Sequence, residues 1–144
     1  MKEWYAPREI YYLPEHIEWV LLNLNMLLEG YWPPNPQQTG YTDVQGSKRG
    51  HRAYFEVPVC IAAEVTYRLK QCGVDGMLAR KCLADGWDEQ TLAEIMHVDI
   101  KRITTRVRRV VNYCSGARRR RMAFIEFKRR AGIRDSYRRK SNHT

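Results

Sequence analysis

Residues 88–114 read DEQTLAEIMHVDIKRITTRVRRVVNYC, and this stretch decides the fold. Apolar side chains recur at helical spacing on both sides of a short polar break: Leu92, Met96, Val98, Ile103 and Val107. Ala93 supplies the small side chain that two closely approaching helices require. The break itself lies at residues 97–99, and Asp99 suits the N-cap of the helix that follows. The stretch therefore predicts two packed helices joined by a tight turn, which is a helix-turn-helix.

The second predicted helix is apolar on one side and cationic on the other. Its apolar stripe follows Ile103 at helical spacing: Val107, Val110, Val111 and Cys114. Its polar positions are donors and small hydroxyls that suit phosphates and base edges, and these are the candidate DNA-binding residues: Lys101, Arg102, Thr104, Thr105, Arg106, Arg108, Arg109 and Asn112. An ordinary solvated helix mixes both charge signs, but no acidic residue occurs from Ile100 to Ala117. The asymmetry therefore favours a DNA recognition helix.

Charge is divided unevenly along the 144 residues, whose formal net charge is +9. Residues 101–140 hold 16 basic and two acidic residues, a net charge of +14. Residues 1–100 hold 9 basic and 14 acidic residues, a net charge of −5. This division confines the expected contact with a polyanion to the C-terminal part of the chain.

A second cationic segment follows the helix-turn-helix. Residues 117–131 predict a helix whose apolar side consists of Met122, Phe124, Ile125 and Phe127. Four consecutive arginines begin it, and we expect them to lie along the DNA backbone and to add affinity without sequence information: Arg118, Arg119, Arg120 and Arg121. Two alternatives stay open for this segment, a solubilising tail and an arginine-rich helix that binds folded RNA.

The other predicted elements are also helices, and no strand pattern of period two persists. One helix is expected from Pro14 to about Glu29, with an apolar face of Ile17, Val20, Leu21, Leu24, Leu27 and Leu28. Another is expected over residues 57–71, with a stripe of Val57, Cys60, Ile61, Val65 and Leu69. A shorter helix over residues 76–85 is expected to face inward with Met77, Leu78, Cys82 and Leu83. The predicted fold class is an all-α helical bundle that contains a helix-turn-helix and a basic C-terminal helix.

The chain is predicted to have three parts. Residues 1–55 form an N-terminal helix and an aromatic, proline-rich connection, and residues 56–116 form a helical domain with the helix-turn-helix at 88–114. Residues 117–144 form the arginine-rich helix and a tail. The N-terminal helix has two interpretations: packing on the bundle, or a contact surface for a homodimer or for RNA polymerase.

Several functional classes are disfavoured by what the sequence lacks. It has no glycine-rich phosphate loop, no nucleophile motif and no acid cluster of nuclease type, so we expect no enzyme activity and no cofactor. Its four cysteines form no CxxC pair and its four histidines are scattered, so we expect no metal site. No segment predicts a signal peptide or a bilayer crossing, which indicates a cytoplasmic protein without a membrane partner.

Residues 76–114 resemble region four of bacterial sigma factors and the sigma-like regulators of phages. The matching residues are LAEI at 92–95 and ITTRVRR at 103–109, preceded by the turn DGWDE at 85–89. His97 departs from the pattern, because many such units have glycine at the turn, where a left-handed backbone is needed. Arg106 is accepted in sigma-like units, whereas repressor units have an apolar residue there. The size and arrangement are similar to phage late-transcription regulators of the ArpU type.

The resemblance implies a sequence-specific regulator of transcription, of phage or prophage type, that binds double-stranded DNA. Two alternatives of other classes are kept. One is a phage DNA-packaging protein similar to small terminase subunits, which form rings. The other is an arginine-rich RNA-binding antiterminator. Oligomeric state and competition between duplex DNA and hairpin RNA would separate these functions.

Overall fold

The structure is a computed structural model that describes residues 2–37, 56–116 and 122–130. Every regular element in these ranges is helical, which confirms the prediction of an all-α fold. A 3₁₀ turn at Pro7–Glu9 precedes the α-helices, which are α1 Pro14–Leu22, α2 Leu24–Leu28, α3 Glu56–Lys70, α4 Val74–Leu83, α5 Glu89–Met96, α6 Ile100–Cys114 and α7 Phe124–Arg130.

The predicted N-terminal helix is divided in two at Asn23. Its side-chain amide donates to the carbonyl oxygen of Trp19 at 2.9 Å, and such side-chain bonds compete with regular backbone pairing. Most of the predicted apolar face is fully buried: Ile17, Val20, Leu21, Leu24 and Leu27. Leu28 is exposed instead. The interpretation that this segment packs on the bundle is therefore confirmed for that face.

α6 is the helix around which the others are arranged, since it packs against α1, α3, α4 and α5. Its predicted apolar stripe is buried throughout: Ile103, Val107, Val110, Val111 and Cys114. Burial of each Ile or Val side chain contributes about 1.5–3 kcal/mol to folding. The stripe therefore fixes which side of α6 is directed away from the bundle.

α3 and α4 bury part of the faces predicted for them, since Ile61, Val65, Leu69 and Leu78 are buried as expected. Cys60 is exposed, and Met77 is 59% exposed although it was expected to face inward. The buried residues of α4 are Leu78, as predicted, and also Gly76 and Ala79, while the predicted Cys82 and Leu83 are partly buried. The helical periodicity was predicted correctly, and the buried faces also include two small residues that were not predicted, Ala62 and Ala79.

Gly76 allows α4 to approach the end of α3. A Cβ atom at this position would lie 2.1 Å from the carbonyl oxygen of Leu69 and 3.2 Å from the Cβ of Cys72. Exchanging glycine for alanine within a helix ordinarily stabilises it by about 1 kcal/mol. Here we expect Gly76→Ala to lower the free energy of unfolding by about 1–3 kcal/mol, because the backbones must separate.

Urea denaturation measures this change directly. Met77→Ala is the matched control, since it alters the adjacent exposed side chain in the same helix and should leave stability nearly unchanged. A Gly76→Ala variant more stable than the native protein would contradict the close approach.

α7 is shorter than the predicted helix over residues 117–131. Residues 117–121 lie outside the described ranges, and residues 122 and 123 precede α7 without being helical. The Tyr113 hydroxyl donates to the carbonyl oxygen of Met122. The Tyr113 ring also contacts the Phe124 and Phe127 rings, with centroids 5.1 and 5.2 Å away. These contacts hold α7 against the end of α6 and leave Ile125, expected on the apolar side, 61% exposed.

Candidate nucleic-acid interface

α5 and α6 are joined by residues 97–99 alone. His97 adopts a left-handed backbone with φ 57° and ψ 43°, and the amide of Val98 donates to the carbonyl oxygen of Ala93 at 3.0 Å. This is a common way for a helix to end, although glycine is the usual residue there. As predicted, Asp99 caps α6, because its carboxylate accepts from the amide of Lys101 at 3.3 Å. The turn therefore sets the direction of α6 relative to α5.

The apolar residues between the two helices form the predicted seam. Leu92, Ala93, Ile103 and Val107 are buried, while Met96 and Val98 are partly buried against the same core. Ala93 is 4% exposed, so a larger side chain there would push the helices apart. α5 thus lies directly on the N-terminal half of α6.

The exposed side of α6 carries what we call the central row, four polar side chains aligned along the helix: Lys101, Thr105, Arg108 and Asn112. Their spacing of four, three and four residues places them on one face. The face is opposite the buried stripe, so it is directed away from the bundle. α6 has 15 residues and is therefore about 22 Å long.

One flank of the central row faces α4. Arg102 is exposed there, but the Nε of Arg106 lies 3.9 Å from the Oδ1 of Asp75. Within the described ranges the Nε of Arg109 is buried and makes no hydrogen bond. The predicted DNA-binding residues on this flank therefore differ in their exposure. Arg102 is open to solvent, whereas Arg106 is directed at α4 and Arg109 is partly buried.

The other flank faces α5. The Thr104 hydroxyl donates to the Oε2 of Glu89 at 2.7 Å and lies 3.3 Å from the carbonyl oxygen of Ile100. Glu89 therefore connects the start of α5 to the exposed face of α6.

The Cys82 thiol lies close enough to Glu89 and Asp88 to feel their charges. Burial, with added repulsion from these two carboxylates, raises the pKa of the thiol, so it stays protonated at neutral pH.

Sequence reasoning did not identify Glu89 as part of this surface. Residues 89 and 104 are too far apart along the chain for a local pattern to pair them, and the pairing requires the packing of α5 on α6. Ile100 was also missed, since it lies at the edge of the apolar stripe rather than within it. Its isoleucine side chain at the first position of a cationic helix was the available signal.

The electrostatics of this surface favour an anionic partner. Three acids beside α6 have a partner on that helix: Asp75 with Arg106, Glu89 with Thr104, and Asp99 with the amide of Lys101. In the part of the chain that the structure describes, Lys101, Arg102 and Arg108 form no ion pair. Their charges are therefore available to an incoming polyanion.

The remaining candidate cations lie beyond α6. Arg118, Arg119, Arg120 and Arg121 are outside the described residues. In α7, Arg129 and Arg130 pair with Glu126 at 3.0 and 3.5 Å, and the ammonium of Lys128 lies 5.0 Å from the Phe124 ring centroid. Exposed pairs of this kind are weak, about 0.2–1 kcal/mol.

No protein-family model, curated protein or solved structure matches the chain. The similarity to region four of sigma factors therefore stays a prediction from the residues at 76–114. Across residues 2–37, 56–116 and 122–130, no group of three or more His, Cys, Asp or Glu side chains is placed to ligate a metal ion. Every helix in those ranges also falls short of the length and apolar character needed to cross a membrane.

Proposed function

We propose that the chain is a sequence-specific regulator of transcription, of phage or prophage type, that binds double-stranded DNA. α5, the turn at 97–99 and α6 act as a sigma-like helix-turn-helix, and the exposed face of α6 lies in the major groove. Arg118–Arg121 follow the backbone beside it. RNA polymerase and a second copy of the chain stay predicted partners of the N-terminal part.

The observation that carries the proposal is the central row. Lys101, Thr105, Arg108 and Asn112 are exposed on one face of a helix whose opposite face is buried. A helix with its side chains is about 10–12 Å across, and the major groove of B-DNA is about 12 Å wide. Arginine can bond guanine O6 and N7, and asparagine can bond adenine N6 and N7. The row thus has the shape, charge and donors for base recognition.

Selection from a random duplex-DNA pool at near-physiological salt tests the proposal. We expect a defined motif to be enriched, because exposed donors at fixed spacing on a rigid helix discriminate between base pairs. An unenriched pool would contradict sequence-specific regulation and would favour binding to the phosphate backbone alone. A ring-shaped oligomer in that case would point to DNA packaging, and preferential capture of hairpin RNA would point to an antiterminator.

The four consecutive arginines are expected to supply affinity that does not depend on sequence. Each cation that neutralises a phosphate contributes about 0.9 to the slope of log affinity against log salt. Replacing Arg118–Arg121 with alanine should therefore reduce that slope by about 3 to 4 and weaken binding to all duplexes alike. Fluorescence anisotropy at several salt concentrations measures the slope. Loss of discrimination between sites, with the slope unchanged, would mean that these arginines contact bases instead.

A further inference from the structure

A depression of about 330 Å³ lies on the exposed face of α6, lined by Ile100, Lys101, Thr104, Thr105 and Arg108. It occupies the flank of the central row that faces α5. Ile100 is 37% exposed at this surface, which leaves part of an aliphatic side chain beside two cations. The depression is therefore apolar within and cationic at its border.

The two threonines contribute apolar rather than donor character to this depression. The Thr104 hydroxyl donates to Glu89 at 2.7 Å, and the Thr105 hydroxyl donates to the carbonyl oxygen of Lys101 at 2.8 Å. Their protons are thus engaged within the protein. What the side chains offer to a ligand is their methyl groups and the remaining oxygen lone pairs.

An apolar depression bordered by cations has a specific counterpart in the major groove. The C5-methyl group of thymine is the apolar group among the base edges there, and threonine methyls and aliphatic side chains contact it. The cations match the surrounding phosphates and an adjacent guanine. Binding of a phosphate alone would not account for the exposed isoleucine. A site that recognises bases through hydroxyl donors would not have its hydroxyl protons bonded within the protein.

We infer that the depression receives the 5-methyl group of a thymine, so that Ile100 and Thr104 determine specificity at one position of the bound site. The inference rests on the proposed function and deepens it, because it names a base and the residues that select it. Lys101 and Arg108 hold the flanking phosphate and base, while Glu89 positions Thr104 by accepting its hydroxyl proton.

The test is selection from two random duplex pools, one with thymine and one with deoxyuridine in its place. Deoxyuridine pairs identically but lacks the methyl group. We expect the thymine pool to yield a motif with one fixed thymine. Substitution of deoxyuridine at that position should weaken binding by about three- to tenfold, which corresponds to the loss of one buried methyl group.

Variants assign the effect to the depression. Thr104→Ser keeps the hydroxyl that bonds Glu89 but removes the methyl group, and Ile100→Ala shortens the exposed aliphatic chain. For both variants we expect the affinity ratio between the thymine and deoxyuridine sites to fall towards one. Ile95→Ala, which alters a 59% exposed isoleucine on α5 outside the depression, should keep the native ratio.

The outcomes separate this inference from the proposed function. Equal affinity for thymine and deoxyuridine at every position of an enriched motif would overturn the inference and leave sequence-specific binding intact. A native ratio in both Thr104→Ser and Ile100→Ala would do the same. Enrichment of no motif in either pool would overturn the proposed function and the inference together.

Discussion

Replacing Arg68 with leucine is expected to lower the free energy of unfolding by about 3 kcal/mol, the sum of two charge-assisted hydrogen bonds. Arg68 is 5% exposed, and its Nη1 donates to the carbonyl oxygens of Cys114 and Gly116 at 2.7 Å each. These carbonyls lie at the C-terminal end of α6, where the helix dipole favours a cation. Arg68 therefore fastens α3 to the end of the proposed recognition helix.

The same arginine holds the N-terminal segment. Its guanidinium carbon lies 4.4 Å from the Tyr12 ring centroid, and the Gly116 amide donates to the carbonyl oxygen of Tyr12 at 2.6 Å. Burial raises the pKa of Tyr12, although the nearby Arg68 charge opposes the rise. Tyr12 has a left-handed φ of 57°, a conformation that costs a non-glycine residue about 1–2 kcal/mol. The contacts with Arg68 and Gly116 stabilise that conformation.

Two further variants make the Arg68 prediction specific. Arg68→Lys keeps the charge but loses the planar fork, so we expect an intermediate loss of stability. Lys70→Leu removes an exposed cation from the same helix and should change stability by about 0.5 kcal/mol or less. Denaturation by urea measures all three. An Arg68→Leu variant as stable as Lys70→Leu would contradict the role assigned to this buried cation.

The combined variant Lys101→Ala/Thr105→Ala/Arg108→Ala is expected to lose discrimination between the selected site and an unrelated duplex. Each base contact contributes about 1–3 kcal/mol, so the affinity ratio should fall by about 100-fold or more. All three side chains are exposed, so stability should change little. Competition binding with labelled selected and scrambled duplexes measures the ratio.

The control for this variant must lose the same charge elsewhere. Arg8→Ala/Lys70→Ala also removes two exposed cations but leaves α6 intact. We expect it to keep the native ratio with only slightly weaker binding to both duplexes. If both variants lost discrimination equally, net charge rather than the central row would be responsible.

The sequence predicted the parts of the fold that depend on short-range periodicity. The buried stripe from Ile103 to Cys114 follows the helical repeat, and Asp99 is a cap because a short carboxylate can accept from the next turn. The polar side of α6 was predicted for the same reason, as the side opposite the stripe, although Arg109, which was expected there, is partly buried. Local spacing alone decides each of these features.

The features that sequence reasoning missed depend on contacts between distant residues. In the sequence, Arg68 has the pattern of a solvated helix cation. It has carbonyl partners only because the C-terminal end of α6, 46 residues further along the chain, packs beside it. The pairing of Glu89 with Thr104 requires α5 and α6 to be packed. Likewise, residues 122 and 123 are not helical although helix propensity alone predicts a helix there, and the Tyr113 hydroxyl donates to the carbonyl oxygen of Met122.

Dimethyl sulfate probing of the selected duplex tests most directly whether α6 lies in the major groove. The reagent methylates guanine N7, which faces the major groove, and adenine N3, which faces the minor groove. We predict that the protein protects at least one guanine N7 and that Lys101→Ala/Thr105→Ala/Arg108→Ala does not at equal occupancy. Adenine N3 protection with every guanine N7 as reactive as in free DNA would contradict major-groove recognition by α6.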